Sequence, residues 1–222
     1  MRRNPRFVLV LALLAAAVLL ALPALAELET FTFDKGHTLV GFRIRHFVSK
    51  VEGRFNKFDG TIQLDRQNPG ASKVDLTIQA DSIDTSNENR DKDLKSENFF
   101  DVAKFPTLTF KSTKVVAKGN DSYEVTGDFT MHGVTKSITV PVKHTGFMKV
   151  KGRTGMGEKA GFEISFPLNR KDYGVTWNRA LDTGGMMLGD DVEINVQVEA
   201  NKQMPDQPAA PPAAPVPTPS KS

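Results

Sequence analysis

The 222-residue chain contains no cysteine. That excludes disulfide staples, thiolate metal ligands, a cysteine nucleophile and a lipid anchor on a cysteine after an apolar leader. Trp and Tyr are nearly as scarce, with one Trp and two Tyr against 15 Phe. An outer-membrane barrel builds aromatic girdles at both interfaces, and three such residues are too few for that. The body also lacks an excess of either charge. The chain has 29 Lys+Arg and 26 Asp+Glu, but Arg2, Arg3 and Arg6 all precede the first acidic residue, Glu27, leaving 26 of each beyond them. The net charge of +3 therefore belongs to the N-terminal segment. A neutral body argues against a nucleic-acid partner.

Enzyme signatures are missing too. There is no G-x-S-x-G elbow, and Ser165 falls inside a strand pattern rather than a strained turn. The four histidines, His37, His46, His132 and His144, lack the close spacing of a zinc site. Gly152-x-x-Gly155-x-Gly157 has the composition of a phosphate loop, but a strand follows it, so no helix N-terminus is offered to an anion. The expectation is a protein with no catalytic residues, no metal and no cofactor.

Both ends of the chain separate from the body. Arg2, Arg3 and Arg6 form a basic n-region, Phe7 to Leu22 is almost wholly apolar, and Ala24-Leu25-Ala26 follows Pro23 as a small-x-small site. Residues 1–26 therefore read as a cleaved signal peptide, which places the mature protein in the periplasm or outside the cell. Residues 204–222 hold seven of the 13 prolines, mixed with alanine, and read as an extended, disordered tail. Residues 27–203 form one domain, long enough to stabilise itself by burial alone.

Within that domain the dominant period is two. Thr38 to Phe47 reads T-L-V-G-F-R-I-R-H-F, with Val40, Phe42, Ile44 and His46 on one face and Gly41, Arg43 and Arg45 on the other. Such alternation specifies a strand with one dry and one wet face. Similar dry rows are Phe31 and Phe33; Phe58, Gly60, Ile62 and Leu64; Val74, Leu76, Ile78 and Ala80; and Leu108 and Phe110. They continue with Tyr123, Val125, Gly127, Phe129 and Met131; Ile138, Val140 and Val142; Phe162, Ile164, Phe166 and Leu168; and Val192, Ile194, Val196 and Val198. Lys118-Gly119-Asn120-Asp121 and His132-Gly133 mark turns. Gly152 to Gly161 reads as a glycine-rich loop. Thr85-x-x-Glu88 is a capping-box pattern opening a helix that runs towards Phe99 and Phe100. Asp172 to Leu188 is a long connection of the kind that often serves as a functional loop or lid. The fold class that follows is all-β: an antiparallel barrel of eight or nine strands with one inserted short helix and one long loop.

A histidine at the end of a dry row is either a satisfied core residue or a polar anchor in a ligand cavity. Fourteen phenylalanines beyond the leader, mostly on or beside the dry rows, either fill a core or line a lumen. Asp34-x-x-His37, Phe42-x-x-x-His46, Gly53-x-Phe55, Ile83-Asp84-Thr85, Arg90-Asp91-x-x-Leu94, Phe99-Phe100, Phe105-Pro106, Gly127-x-Phe129-Thr130, Asn169-Arg170-x-Asp172-Tyr173-Gly174 and Gly189-Asp190-x-Val192 occur in order over Phe31 to Ala200. Together they resemble the YceI family, bacterial polyisoprenoid-binding proteins with a lipocalin-like barrel. The Asp34-Lys35-Gly36-His37-Thr38 turn departs from the family's more usual Pro-Ala and Ser.

The resemblance implies an eight-stranded lipocalin-like barrel that binds a long isoprenoid, such as a prenyl phosphate or the tail of a quinone, as a carrier or storage protein. The wall residues expected against that chain are Val40, Phe42, Ile44, Leu76, Ile78, Phe110, Phe129, Phe162, Ile164 and Phe166. Leu94, Phe99 and Phe100 are expected beside it, with Trp177 closing one end. His46, Arg90 and Asp91 are the candidates near a polar head group, although Arg90 and Asp91 equally suit an ion pair fixing the helix to the barrel. Partner expectations extend to a transient membrane or membrane-enzyme contact and a homodimer. The competing expectation is a non-catalytic envelope-stress or interaction protein whose phenylalanines fill the barrel.

Overall fold

A computed structural model describes residues 28–152, 155–182 and 184–203. The proposed leader and the proline-rich tail lie outside the described residues.

The strands are β1 (Glu29–Phe33), β2 (Leu39–His46), β3 (Ser49–Phe55), β4 (Phe58–Leu64), β5 (Lys73–Gln79), β6 (Ile83–Asp84), β7 (Thr107–Gly119), β8 (Ser122–Met131), β9 (Val134–Gly152), β10 (Gly155–Asn169) and β11 (Leu188–Lys202). One helix, α1 (Glu88–Lys95), is inserted between β6 and β7. Every strand pairing is antiparallel, and the ring β1-β4-β5-β7-β8-β9-β10-β11 closes through β1 against β11. The expected eight-stranded antiparallel barrel is the fold observed.

The three further strands arise because the first half of the chain is bent. β11 pairs with β2 over Leu188–Gln197, with a register shift between Leu188 and Val192, and with β1 over Ala200–Lys202. So β1 and β2 act as one wall strand interrupted at the Asp34–Thr38 turn. β3 and β4 form a second interrupted strand, and β5 and β6 a third. At the β6 end the third strand no longer reaches β7, and α1 occupies that sector. These bends were not expected, and β3 was missed outright. Its inward row is Val51, Gly53 and Phe55, with a glycine where an apolar side chain would have marked the strand.

Local chemistry explains the connections. Asn120 and Asp121 have φ of 51° and 56°, and His132 and Gly133 have 51° and 76°, the doubly left-handed pattern of two-residue hairpins. From Gly155 to Gly161 the expected glycine-rich loop is instead strand, since β10 begins at Gly155 and pairs with β9 through Gly161. The helix also differs from expectation. Its cap is Asn87, whose Oδ1 accepts from the Arg90 N–H at 3.0 Å, and it ends at Lys95 rather than near Phe100. Thr85 lies outside the helix, because its hydroxyl and backbone are claimed by Arg90 and Asp91.

Glycine opposite phenylalanine recurs on the inner wall. A Cβ on Gly53 would lie 2.3 Å from Phe42 Cζ, on Gly60 2.7 Å from the Phe33 ring, and on Gly127 2.5 Å from Phe110 Cζ. Each ring thus occupies the space that a side chain at the glycine on a neighbouring strand would need. This keeps large aromatic surface against the wall instead of across the lumen.

Candidate ligand cavity

The dry rows enclose a cavity of about 680 Å³, within the ~300–1,000 Å³ of small-molecule sites. β8 contributes Tyr123, Val125, Phe129 and Met131, β9 Ile138, Val140 and Val142, and β11 Val192, Ile194, Val196 and Val198. Outside, the barrel strands carry paired charges, such as Arg43 on β2 with Glu52 on β3 at 2.6 Å and Lys118 on β7 with Glu124 on β8 at 2.8 Å. An apolar lumen with a charged exterior is the reverse of an outer-membrane barrel.

The structure brings most of the expected site residues to this wall. Phe42, Ile44, His46, Leu76 and Ile78 line it from β2 and β5. Phe110, Phe129, Phe162, Ile164 and Phe166 line it from β7, β8 and β10. Arg90, Leu94, Phe99, Phe100 and Trp177 gather at the helix end, where the Phe99 and Trp177 rings lie 5.1 Å apart. Two residues depart from expectation. Val40 is buried in the core but is not among the lining residues. Asp91 also lies off the wall. Its Oδ1 accepts from the Thr85 N–H at 2.9 Å and the Thr85 hydroxyl at 2.5 Å.

Arg90 belongs to the same clamp. Its Nε donates to Thr85 Oγ1 and its Nη2 to the Thr85 carbonyl, both at 2.7 Å. Because Thr85 is 5% exposed, these bonds pin α1 to β6 and leave only part of the guanidinium facing the cavity. The hydrogen bonds of both side chains thus converge on Thr85.

Arg170 braces the long loop. It is 4% exposed and donates to the carbonyls of Gly189 (2.9 Å), Val175 (2.7 Å) and Trp177 (2.8 Å). Burial pushes its guanidinium below its ordinary value, with Asp190 acting in the opposite sense. The fork thus sets the position of Trp177 at the cavity.

At the opposite end the lining includes Asp65, Arg66, Ser72, Asp121, His144 and Phe147, none of them foreseen. Yet His144 continues the β9 row Ile138, Val140, Val142, the same signal that drew attention to His46. Arg66 stands over the Phe147 ring at 3.8 Å and bonds to Glu29 (2.5 Å) and Glu158 (2.8 Å). Lys202 bonds the same two carboxylates, at 2.5 and 3.5 Å. Arg66 and Lys202 hold the Glu158 carboxyl below its ordinary value, and at Glu29 they outweigh the opposing effect of burial.

Among the described residues one group has metal-ligand spacing, with ligand atoms of Asp34, His37 and Glu199 within 4.8 Å of one another. The Lys159 ammonium already lies between the two carboxylates, 3.0 Å from Asp34, and His37 is 66% exposed. Burial acts to raise the Asp34 carboxyl, but hydrogen bonds from Lys159, Asn201 and the Gly36 N–H hold it well below the carboxylate range. An ammonium counter-ion explains this cluster as a seam ion pair between β1, β10 and β11.

Comparison with known proteins gives the family. Residues 31–200 match the YceI-like domain. The chain belongs to that family. A UPF0312 protein of Pseudomonas paraeruginosa is 40% identical over 192 residues, which is 86% of this chain and 95% of that relative. Among solved structures, this YceI-like barrel is similar to the Campylobacter jejuni YCEI protein, with 35% identity, a TM-score of 0.60, and 77% and 96% of the two chains covered. It also shares its fold with a polyisoprenoid binding domain from Saccharophagus degradans implicated in plant cell wall breakdown. That match has 12% identity, a TM-score of 0.57, and coverage of 79% of this chain and 99% of that one.

Proposed function

We propose that the protein binds a long-chain isoprenoid, or an amphiphile of similar shape, inside the barrel and carries it through the periplasm without altering it. The carrying observation is a cavity of about 680 Å³ walled by eight strands' apolar rows. Each CH₂ moved from water into that wall contributes about 0.8 kcal/mol, so a chain of a few isoprene units supplies the affinity. The shared fold with a polyisoprenoid binding domain supports the same reading. The leader pattern over residues 1–26 supports a periplasmic location.

The helix end suits delivery to a membrane. Next to His46 and Met187 on the cavity wall, Val48 is fully exposed, Phe47 is 43% exposed and Met186 is 41% exposed. Phe47 has φ of 51°, a strained placement that costs about 1–2 kcal/mol in an L-residue. Arg45 latches the two tips by donating to the carbonyls of Phe47 and Met186, at 3.2 Å each. The turn thus presents apolar side chains to solvent at a conformational cost, as an entry lip touching a bilayer would. The competing idea, an interaction module with a filled barrel, does not account for the open lumen.

Trp177, the only tryptophan in the chain, lines the cavity and supplies an intrinsic probe. Titrating delipidated protein with an isoprenoid quinone should quench its fluorescence saturably, at one equivalent. Quenching no stronger than that of free tryptophan would overturn the proposal.

A further inference from the structure

The β9–β10 hairpin outgrows the barrel. β8 stops pairing with β9 at Lys143, and β11 stops pairing with β10 at Lys159. Past Lys159 the two strands pair only with each other among the described residues, through Glu158 with Lys149, Met156 with Lys151 and Gly155 with Gly152. The segment from Lys159 to Gly155 is thus a two-stranded arm, about 13 Å long at the rise of a strand.

A bulge aims this arm. Gly161 pairs with Gly146 but Phe162 with His144, so Thr145 is an extra residue on β9. An extra residue bends its strand and exchanges the faces of the side chains beyond it. The lumen row Val140, Val142, His144 therefore continues with Phe147 rather than with Met148. The Phe147 ring is held at the far end of the lumen, its centroid 4.3 Å from that of His144 and 3.8 Å from the Arg66 guanidinium.

The side chains that the arm shows to solvent are of two kinds. Met148 is 66% exposed, Met156 57% and Phe147 38%, and Lys149 and Lys151 are exposed beside them. The one carboxylate on the described part of the arm, Glu158, is opposite Lys149 in register but is bonded to Arg66 at 2.8 Å and Lys202 at 3.5 Å. Among the described residues neither lysine has an anionic partner. The arm is therefore apolar and cationic, and its complement is apolar and anionic.

Register separates a bilayer from a protein as that complement. Cross-strand partners share a face, so Met156 lies with Phe147, Lys149 and Lys151, while Met148 lies on the other face with Val150. A protein docked on either face would leave the opposite methionine in water. A membrane interface entered end-on covers both. The arm also has the reach for it, since interfacial segments bury their apolar side chains about 5–10 Å deep, and lysines near an anionic surface add attraction.

We infer that the β9–β10 arm docks on an anionic lipid bilayer, seated end-on through Met148 and Met156 with Lys149 and Lys151 at the head groups. The arm is at the opposite end of the barrel from α1, so the α1 mouth stays free while the arm is seated. This contact goes beyond cargo binding and does not depend on it.

The test is sedimentation of the delipidated full mature chain with vesicles of phosphatidylcholine alone and of phosphatidylcholine mixed with phosphatidylglycerol. Wild type should bind the mixed vesicles more tightly, and high salt should remove the difference. Lys149→Gln with Lys151→Gln should weaken mixed-vesicle binding by about ten- to thirtyfold and leave neutral-vesicle binding unchanged. Met148→Ser with Met156→Ser should weaken mixed-vesicle binding with the charge intact. All four side chains are at the surface, so both double variants should keep the wild-type Tm. The chain has no cysteine, so Met156→Cys takes a single environment-sensitive fluorophore, whose emission should shift to the blue on mixed vesicles. Equal affinity for the two vesicle types, unchanged mixed-vesicle affinity in both double variants, or a fluorophore that stays in water would each overturn the inference. The lysines would then only guard a free strand edge, and lipid binding in the lumen would be untouched.

Discussion

Replacing Gly53 with alanine tests how the barrel keeps its lumen open. On strand propensity alone, alanine for glycine should stabilise by about 0.5–1 kcal/mol. The structure reverses that sign. The new Cβ would stand 2.3 Å from Phe42 Cζ, 2.8 Å from Phe42 Cε1 and 2.9 Å from Thr85 Cγ2. Thr85 cannot yield, since Arg90 and Asp91 hold its hydroxyl, carbonyl and N–H. The Phe42 ring must therefore leave the wall by about 1 Å or more, and the free space is the lumen. Overpacking of this kind costs about 1–3 kcal/mol. In a domain of this size each kcal/mol lowers Tm by about 2–4 °C, so the expected fall is about 2–12 °C. Thermal unfolding reads the stability, and Trp177 quenching by an isoprenoid quinone reads the lumen. Both should deteriorate in Gly53→Ala and recover substantially in the double variant with Phe42→Leu, a favourable coupling between the two sites. An unchanged Tm in Gly53→Ala, or a double variant no better than the sum of the singles, would refute the reasoning.

Three other outcomes follow from the same structure. Arg170→Met should lower stability by about 2–3 kcal/mol, because one buried and two part-buried carbonyls lose their donor together; Arg170→Lys should not rescue it, since an ammonium lacks the planar fork, and urea midpoints check both. The seam carboxylates Glu29, Asp34 and Glu158 have folded-state values below their ordinary 4.5, 3.8 and 4.5, so the unfolded chain binds more protons as acid is added. Their contribution is complete above about pH 5 and is lost as pH falls from there through the lower folded-state values; Lys159→Met should flatten that acid slope, as read from urea midpoints at several pH values. Phe47→Gly should raise stability by about 1 kcal/mol by relieving its left-handed backbone, yet reduce sedimentation with lipid vesicles; a variant that gains stability and still sediments fully would contradict the entry-lip role.

The barrel was legible because its signal is two-sided. Each row from Tyr123 to Met131 or Phe162 to Leu168 needs one dry face, and period two records it. β3 escaped because Gly53 leaves a gap in its row, and that gap is itself structural, as the seat of the Phe42 ring. Gly155, Gly157 and Gly161 looked like a loop, yet pairing with β9 makes them strand. Thr85-x-x-Glu88 fitted a capping box, but a threonine that also reaches Arg90 and Asp91 does more for the fold from outside the helix. At the cavity, apolar wall residues were readable from phase alone, whereas polar ones were not. His46 and His144 carry the same sequence signal, and only tertiary structure shows that His144 shares the far end of the lumen with Asp65. That convergence joins β9 to the loop after β4, and no spacing within the chain encodes it.

The central claim is that the lumen is a lipid site rather than a packing defect. Native mass spectrometry of the protein purified from its own source, before and after solvent extraction, tests it most directly. The account predicts an adduct removable by solvent and identifiable as a long-chain isoprenoid or an amphiphile of similar shape, at up to one per chain. A protein that carries no adduct, and acquires none when mixed with isoprenoid alcohols or quinones, would contradict it.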